Sequence, residues 1–375
     1  MQILHAARPI DDWLASTELS APQRQRLQTA RRMREFAISH LALPSNASYT
    51  RYANLQREYV VWNVVAAPVD SLDLHRWCFP IAGCVGYRGY FSPEDAREEA
   101  ARLAAQGWEV GTYGVPAYST LGWLNWLGGD PLLNTFLDWP EGEFAGLLFH
   151  ELAHQLVYAP GDTGFNESFA TAVERLATPL WLQTQAGTAA RQQWQKSLLR
   201  KQQWRDLTRM TRAQLQAVYD TAGRQAAPDP VPTLASRKRQ VLAEFQARYA
   251  QLRAQWLQQD EALLATEPRR SQYLRGLAQT DEWVAKANNA SFGALAAYDD
   301  WVPAFVEIWN QSQRDAAGHA PSASPSPHGW QVFYERVKDL AGLEPGPREQ
   351  ELCRHLPAGS HQPAACKEAR SMKRL

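Results

Sequence analysis

The sequence predicts an α+β fold, with a small mixed sheet in the N-terminal half and a mostly helical C-terminal half. Up to about residue 140, β-branched and aromatic runs alternate with segments that open and close like helices. From Glu141 onward the apolar residues recur at helical steps almost without a break. The chain has 375 residues and is 45% hydrophobic, enough for two or three domain-sized units. We place their boundaries at 1–140, 141–180 and 181–375.

The elements follow in order. Gln23 to Leu43 carries Leu27, Met33, Phe36, Ile38 and Leu41 among Arg and Gln and reads as a helix. Tyr59 to Val65 is a β-branched and aromatic run, the strand signal. Ser92-Pro93-Glu94-Asp95 starts a helix, with a hydroxyl cap, proline in the first turn and acids at the positive end of the dipole. It stops at Gly107. Trp108 to Tyr118 reads as a strand, and Pro116, which cannot donate to a ladder, puts its end on an edge. Ser236 to Leu264 sets Val241, Phe245, Tyr249, Leu252, Trp256 and Leu263 on one buried stripe. Ala226 to Pro232, with three prolines, is a connector. Ala316 to His328, with its Ser-Pro alternation, reads as a flexible loop.

Charge and hydropathy exclude whole classes. With 39 basic and 39 acidic side chains, this is not a chain built to neutralise phosphates, so no nucleic-acid partner is expected. Tyr59 to Val69, the longest nearly apolar run, is too short to span a bilayer. Cys78, Cys84, Cys353 and Cys366 form two locally close pairs without metal-knuckle or redox spacing, which reads as two disulfides made in an oxidising compartment. Met1 to His5 lacks the basic and apolar regions of a secretion signal and reads as mature sequence.

The chemistry sits at Phe149-His150-Glu151-Leu152-Ala153-His154, an HExxH motif. On a helix, residues four apart stand one turn above each other, so His150 and His154 can offer two imidazoles to one Zn2+. Glu151 points about 100° around the helix and can reach a water on that metal. Two satisfied histidines on a buried helix would be the plain alternative. The next segment favours the metal. Tyr158 to Gly164 is a helix stop and tight loop, and Phe165 to Glu174 reads as a second helix, so the two should form an αα-hairpin. His154 lies about one turn before the loop and Glu167 about one turn after it, which brings them level. Glu167 is therefore expected as third ligand, ahead of Glu174 and Asp162, with Glu174 passing the metal. His, His and Glu leave a fourth position open, the catalytic zinc arrangement. The other histidines show no spacing for a second metal.

The helix pair with Asn166-Glu167-Ser168-Phe169-Ala170 resembles the gluzincin metallopeptidases, although twelve residues separate His154 from Glu167 where those enzymes have more. More closely, the segments Tyr59–Val64, Cys78–Phe91, Tyr118–Trp123 and Phe149–Glu174 resemble a bacterial family of putative zinc aminopeptidases, often lipoproteins. That resemblance implies a zincin-like metallopeptidase fold, a peptide substrate and a periplasmic or outer-membrane-attached location, with a lipid anchor upstream. The expected activity is peptide-bond hydrolysis with Glu151 activating the water. The other reading is a catalytically silent envelope protein that binds peptides or serves assembly. Gly114 to Leu121 is the expected edge strand for an extended peptide. Tyr298 is the first candidate to stabilise the oxyanion, with Tyr113 and Tyr118 behind it.

Overall fold

The computed structural model describes residues 6–79, 83–117, 129–222, 233–260, 269–296, 300–318, 325–358 and 366. In chain order its elements begin with β1 (Arg8–Pro9), α1 (Ile10–Ala15), α2 (Ala21–Leu41), β2 (Arg51–Ala53) and β3 (Val61–Ala67). Then come β4 (Trp77–Phe79), β5 (Gly83–Val85), β6 (Arg88–Tyr90), α3 (Pro93–Ala105), β7 (Glu109–Val115) and β8 (Leu132–Leu133). Helices alone follow: α4 (Asn134–Leu137), α5 (Glu141–His154), α6 (Thr163–Thr184), α7 (Thr188–Ala222), α8 (Leu234–Gln259) and α9 (Arg269–Lys286). The last four are α10 (Asn289–Ala296), α11 (Val302–Ala317), α12 (Pro327–Ala341) and α13 (Pro345–His355). The architecture is α+β, as expected.

β3 is the centre of the larger sheet, antiparallel to β6 on one side and β7 on the other. Its side chains alternate between two covers. Val64 and Ala66 pack with Ala96 and Leu103 of α3, and Val65 and Ala67 pack with Ala290 of α10. Burial on both faces is why this strand reads as a continuous apolar run. A second sheet joins β1, β2 and β8. The hairpin β4–β5 sets Cys78 opposite Cys84, and both cystines are formed, Cys78–Cys84 and Cys353–Cys366.

Local rules account for the helix ends. Ser20 and Gln23 make a capping box at α2, and Ser92 accepts from the backbone of Glu94 and Asp95 at α3. Two buried cores carry the helical part. One draws Phe36, Phe149, Phe169, Phe305 and Phe333 together from α2, α5, α6, α11 and α12. The other packs Phe245, Tyr249 and Trp256 of α8 against α7, α9 and α10, the stripe expected there, except that Leu263 lies outside the described residues. The expected loop at 316–328 is shorter than predicted. α11 runs through Ala317, while Ser326 caps α12 with Pro327 in its first turn, so the Ser-Pro pair there is a helix start. Residues 319–324 and the connector 226–232 lie outside the described residues. Among the described residues no helix is long and apolar enough to cross a membrane.

Candidate metal centre

α5 delivers the motif on its last two turns. Its apolar face, Phe144, Leu148, Phe149 and Leu152, is buried, which fixes the rotation of the helix and brings His150 and His154 to one side. Their Nε2 atoms lie 3.1 Å apart.

The loop to α6 is clamped by one side chain. The Ala159 N–H donates to Asn166 Oδ1 (2.7 Å), and Asn166 Nδ2 donates back to the Ala159 carbonyl (2.8 Å). Asp162 caps α6 by accepting from the Phe165 N–H at 2.9 Å, and it is itself held by the buried Arg348 at 2.7 Å. Arg348 also donates to the carbonyls of Leu340, Ala341 and Leu343, so the C-terminal helices anchor the start of α6. The β4–β5 hairpin presses on the same loop. Gly83 (φ +72°) faces Gly161 (φ +78°) so closely that a Cβ on Gly83 would lie 2.7 Å from Gly161 Cα. Arg76 donates to the carbonyls of Cys84 (2.8 Å) and Gly161 (3.3 Å).

Held this way, α6 brings Glu167 Oε2 to 3.4 Å from His150 Nε2 and 3.7 Å from His154 Nε2. The three donor atoms all lie within 4.8 Å of one another. Two imidazole nitrogens in contact with one carboxylate oxygen between them are a poor neutral arrangement and a good ligand set. The donors, N, N and O, suit Zn2+. Of the rival third ligands, Asp162 is used as a cap, and Glu174 stands on the far side of His150, its Oε2 3.6 Å from Nδ1. Lys201 stands behind Glu174 at 3.9 Å and contacts Glu143 at 2.5 Å.

Charge follows from this packing. Burial opposes protonation of His150, and the Glu167 and Glu174 carboxylates override it, taking the imidazole up to about 10. Burial would raise Glu167, but the two histidines hold it well below the carboxylate range. Glu151 goes the other way: burial pushes its carboxyl up, the two histidines pull against that, and Glu167 and Asp130 add to the rise. A raised carboxyl can both accept and return a proton.

Tyr298 and Tyr118 lie outside the described residues. Tyr113, on β7, stands where the Glu167 charge adds to burial in raising its phenol, and Asn63 Nδ2 donates to its oxygen at 3.4 Å. Tyr87 and Tyr158 feel the same carboxylate. Tyr87 and Tyr113 also line a cleft of about 600 Å³ together with Val65, Gly86, Gly161 and Gly164. Of the expected edge segment, Gly114 and Val115 belong to β7, which is an edge of its sheet among the described residues. Residues 118–121 lie outside the described residues. Tyr49, Tyr87 and Asp130 near Glu151 were not singled out from the sequence, since no spacing relates them to the motif.

An HExxH helix hairpinned to a carboxylate-bearing helix brings two histidines and one carboxylate to a single point. The family model described as "Putative aminopeptidase" matches residues 1–352, and the chain belongs to that family. Neither the curated proteins nor the solved structures yield a match.

Proposed function

We propose that this chain is a zincin-like, zinc-dependent metallopeptidase acting on peptides, with aminopeptidase activity as the family's name indicates. The observation that carries the reading is the convergence of His150, His154 and Glu167 around one point, with Glu151 one residue after the first ligand. His150, His154 and Glu167 would hold the metal. Bound there, Zn2+ supplies Lewis acidity toward the carbonyl oxygen and acidifies water.

The rest is done by the chain's own groups. Glu151 takes the proton of the attacking water and gives it to the amine nitrogen as the C–N bond breaks. A tyrosine donates to the oxygen on which negative charge develops. The Glu167 charge that acts on the Tyr113 and Tyr87 phenols supports one of them for this, and Tyr298 competes with them for the role. The side of β7 that is unpaired among the described residues offers backbone groups to an extended peptide. Two cystines, with no free cysteine, support a compartment outside the cytosol. The resemblance to a family that often carries lipoproteins supports a periplasmic or outer-membrane-attached location.

Metal analysis should return one zinc per chain. Glu151→Gln should keep that zinc and lose peptide turnover by about 10²-fold or more, since the amide keeps the volume but cannot accept the proton. Zinc-loaded wild type that binds peptides and cleaves none would replace this reading with the silent envelope binder.

A further inference from the structure

The cleft of about 600 Å³ reaches the face of α6 that carries Glu167. Thr163 and Gly164 line it, and residues three and four apart on a helix are neighbours on its surface, so both stand beside Glu167. The opposite wall is apolar. Val65, Leu74, Tyr87, Tyr113 and Ala294 line the cleft and belong to one hydrophobic cluster. The volume is that of a small-ligand site.

Gly164 has no reason in the fold to be glycine. It lies in the first turn of α6, and its φ is not left-handed. Apart from its own helix backbone and chain neighbours, an added Cβ would meet nothing among the described residues closer than Asp162 Oδ1, at 3.8 Å. Glycine is also a poor helix former beside almost any other residue. A side chain is therefore acceptable here, and what it would take up is room in the cleft. The charged lining groups are already engaged. Arg348 holds Asp162 at 2.7 Å, and Arg76 donates to the carbonyls of Cys84 and Gly161. Asp73 is exposed and takes the Ser71 hydroxyl at 3.0 Å, and Glu349 has a partner as well. Two tyrosine rings and the aliphatic groups remain to meet a ligand, which favours an apolar or aromatic side chain over a charged one.

We propose that this cleft seats a large apolar or aromatic side chain of the peptide, next to the bond that is cut, and that Gly164 sets the size of side chain admitted. This inference rests on the peptidase reading and names the substrate class for it.

The test compares the peptides Phe-Ala-Ala, Ala-Phe-Ala, Lys-Ala-Ala and Ala-Ala-Ala on the full chain. Affinity is read by calorimetry in the Glu151→Gln background, where the peptides outlast the titration, and kcat/KM with Glu151 intact. One of the two phenylalanine peptides should be preferred over Ala-Ala-Ala about tenfold or more, and which one shows the side of the bond the cleft serves. Gly164→Leu fills the floor, so this preference should fall about tenfold or more with zinc content unchanged. Gly164→Ala should lower it several-fold, and it decides the matter if Gly164→Leu does not fold. No preference for phenylalanine, a preference for the lysine peptide, or a preference that survives in the folded variants overturns the proposal. Cleavage without preference removes the cleft's role and leaves the peptidase. Preferential binding that Gly164→Leu abolishes, without any cleavage, upholds the cleft as a side-chain seat and removes the peptidase.

Discussion

Replacing Gly83 with Ala tests whether the cystine hairpin seats the loop between α5 and α6. The added Cβ would lie 2.7 Å from Gly161 Cα and 2.8 Å from Gly161 N. Both are backbone atoms, so neither can swing aside as a side chain would. The left-handed φ of +72° costs an L-residue about 1–2 kcal/mol, and forcing two backbones apart adds about 1–3 kcal/mol. The expected loss is therefore about 2–5 kcal/mol. Gly161→Ala is the matched control. Its φ of +78° carries the same conformational cost, but its Cβ would meet only Cys84 N at 4.0 Å, an ordinary contact. It should lose about 1–2 kcal/mol. Urea unfolding followed by circular dichroism gives both values from midpoint and slope, with zinc content measured alongside. Equal losses, or a milder Gly83→Ala, would refute the close approach as the cause.

Three further outcomes follow from the site and its surroundings. Glu174→Gln should weaken zinc about 10–100-fold, as loss of a partner behind a ligating histidine does; chelator competition measures this, and unchanged affinity would make Glu174 a bystander. Tyr113→Phe should lower kcat with KM nearly constant if its phenol serves the developing oxyanion, and an unchanged kcat in steady-state assays transfers the role to Tyr87 or Tyr298. Asp260, 1% exposed and paired with Lys196 and Arg200, should cost about 3 kcal/mol when replaced by Asn at neutral pH. Burial works against this carboxylate, and the two cations still leave it below its ordinary value. Its contribution is thus present above the unfolded-state value and is lost as pH falls through the lower folded one. The gap between wild type and Asp260→Asn should close in acid unfolding curves. A gap that widens instead would contradict the pairing.

What could be read ahead of the structure was whatever obeys a short period. His150, Glu151 and His154 are set by helical geometry, and Glu167 by a loop too short to allow anything but a hairpin. Glu174 was expected to pass the metal, but its place at His150 Nδ1 depends on which way the imidazole turns. The Asn166 clamp on Ala159 pairs a side chain with loop backbone, a contact that leaves no periodic trace. Tyr49, Tyr87 and Arg348 reach the site from distant segments, and only tertiary packing decides that. The helix boundary at Pro327 was misjudged because Ser-Pro serves loops and helix starts alike.

The Arg348 anchor has a consequence in time. Asp162 and Arg348 are separated by 186 positions, and a chain is made from its N-terminus. While the later helices are still emerging from the ribosome, the HExxH helix can form, but its partner helix lacks the lock on its first turn. The first turn of α6 therefore gains this contact only after α13 has been made. On the proposed reading, a half-made copy would hold His150, His154 and Glu167 on a helix pair that still lacks this lock.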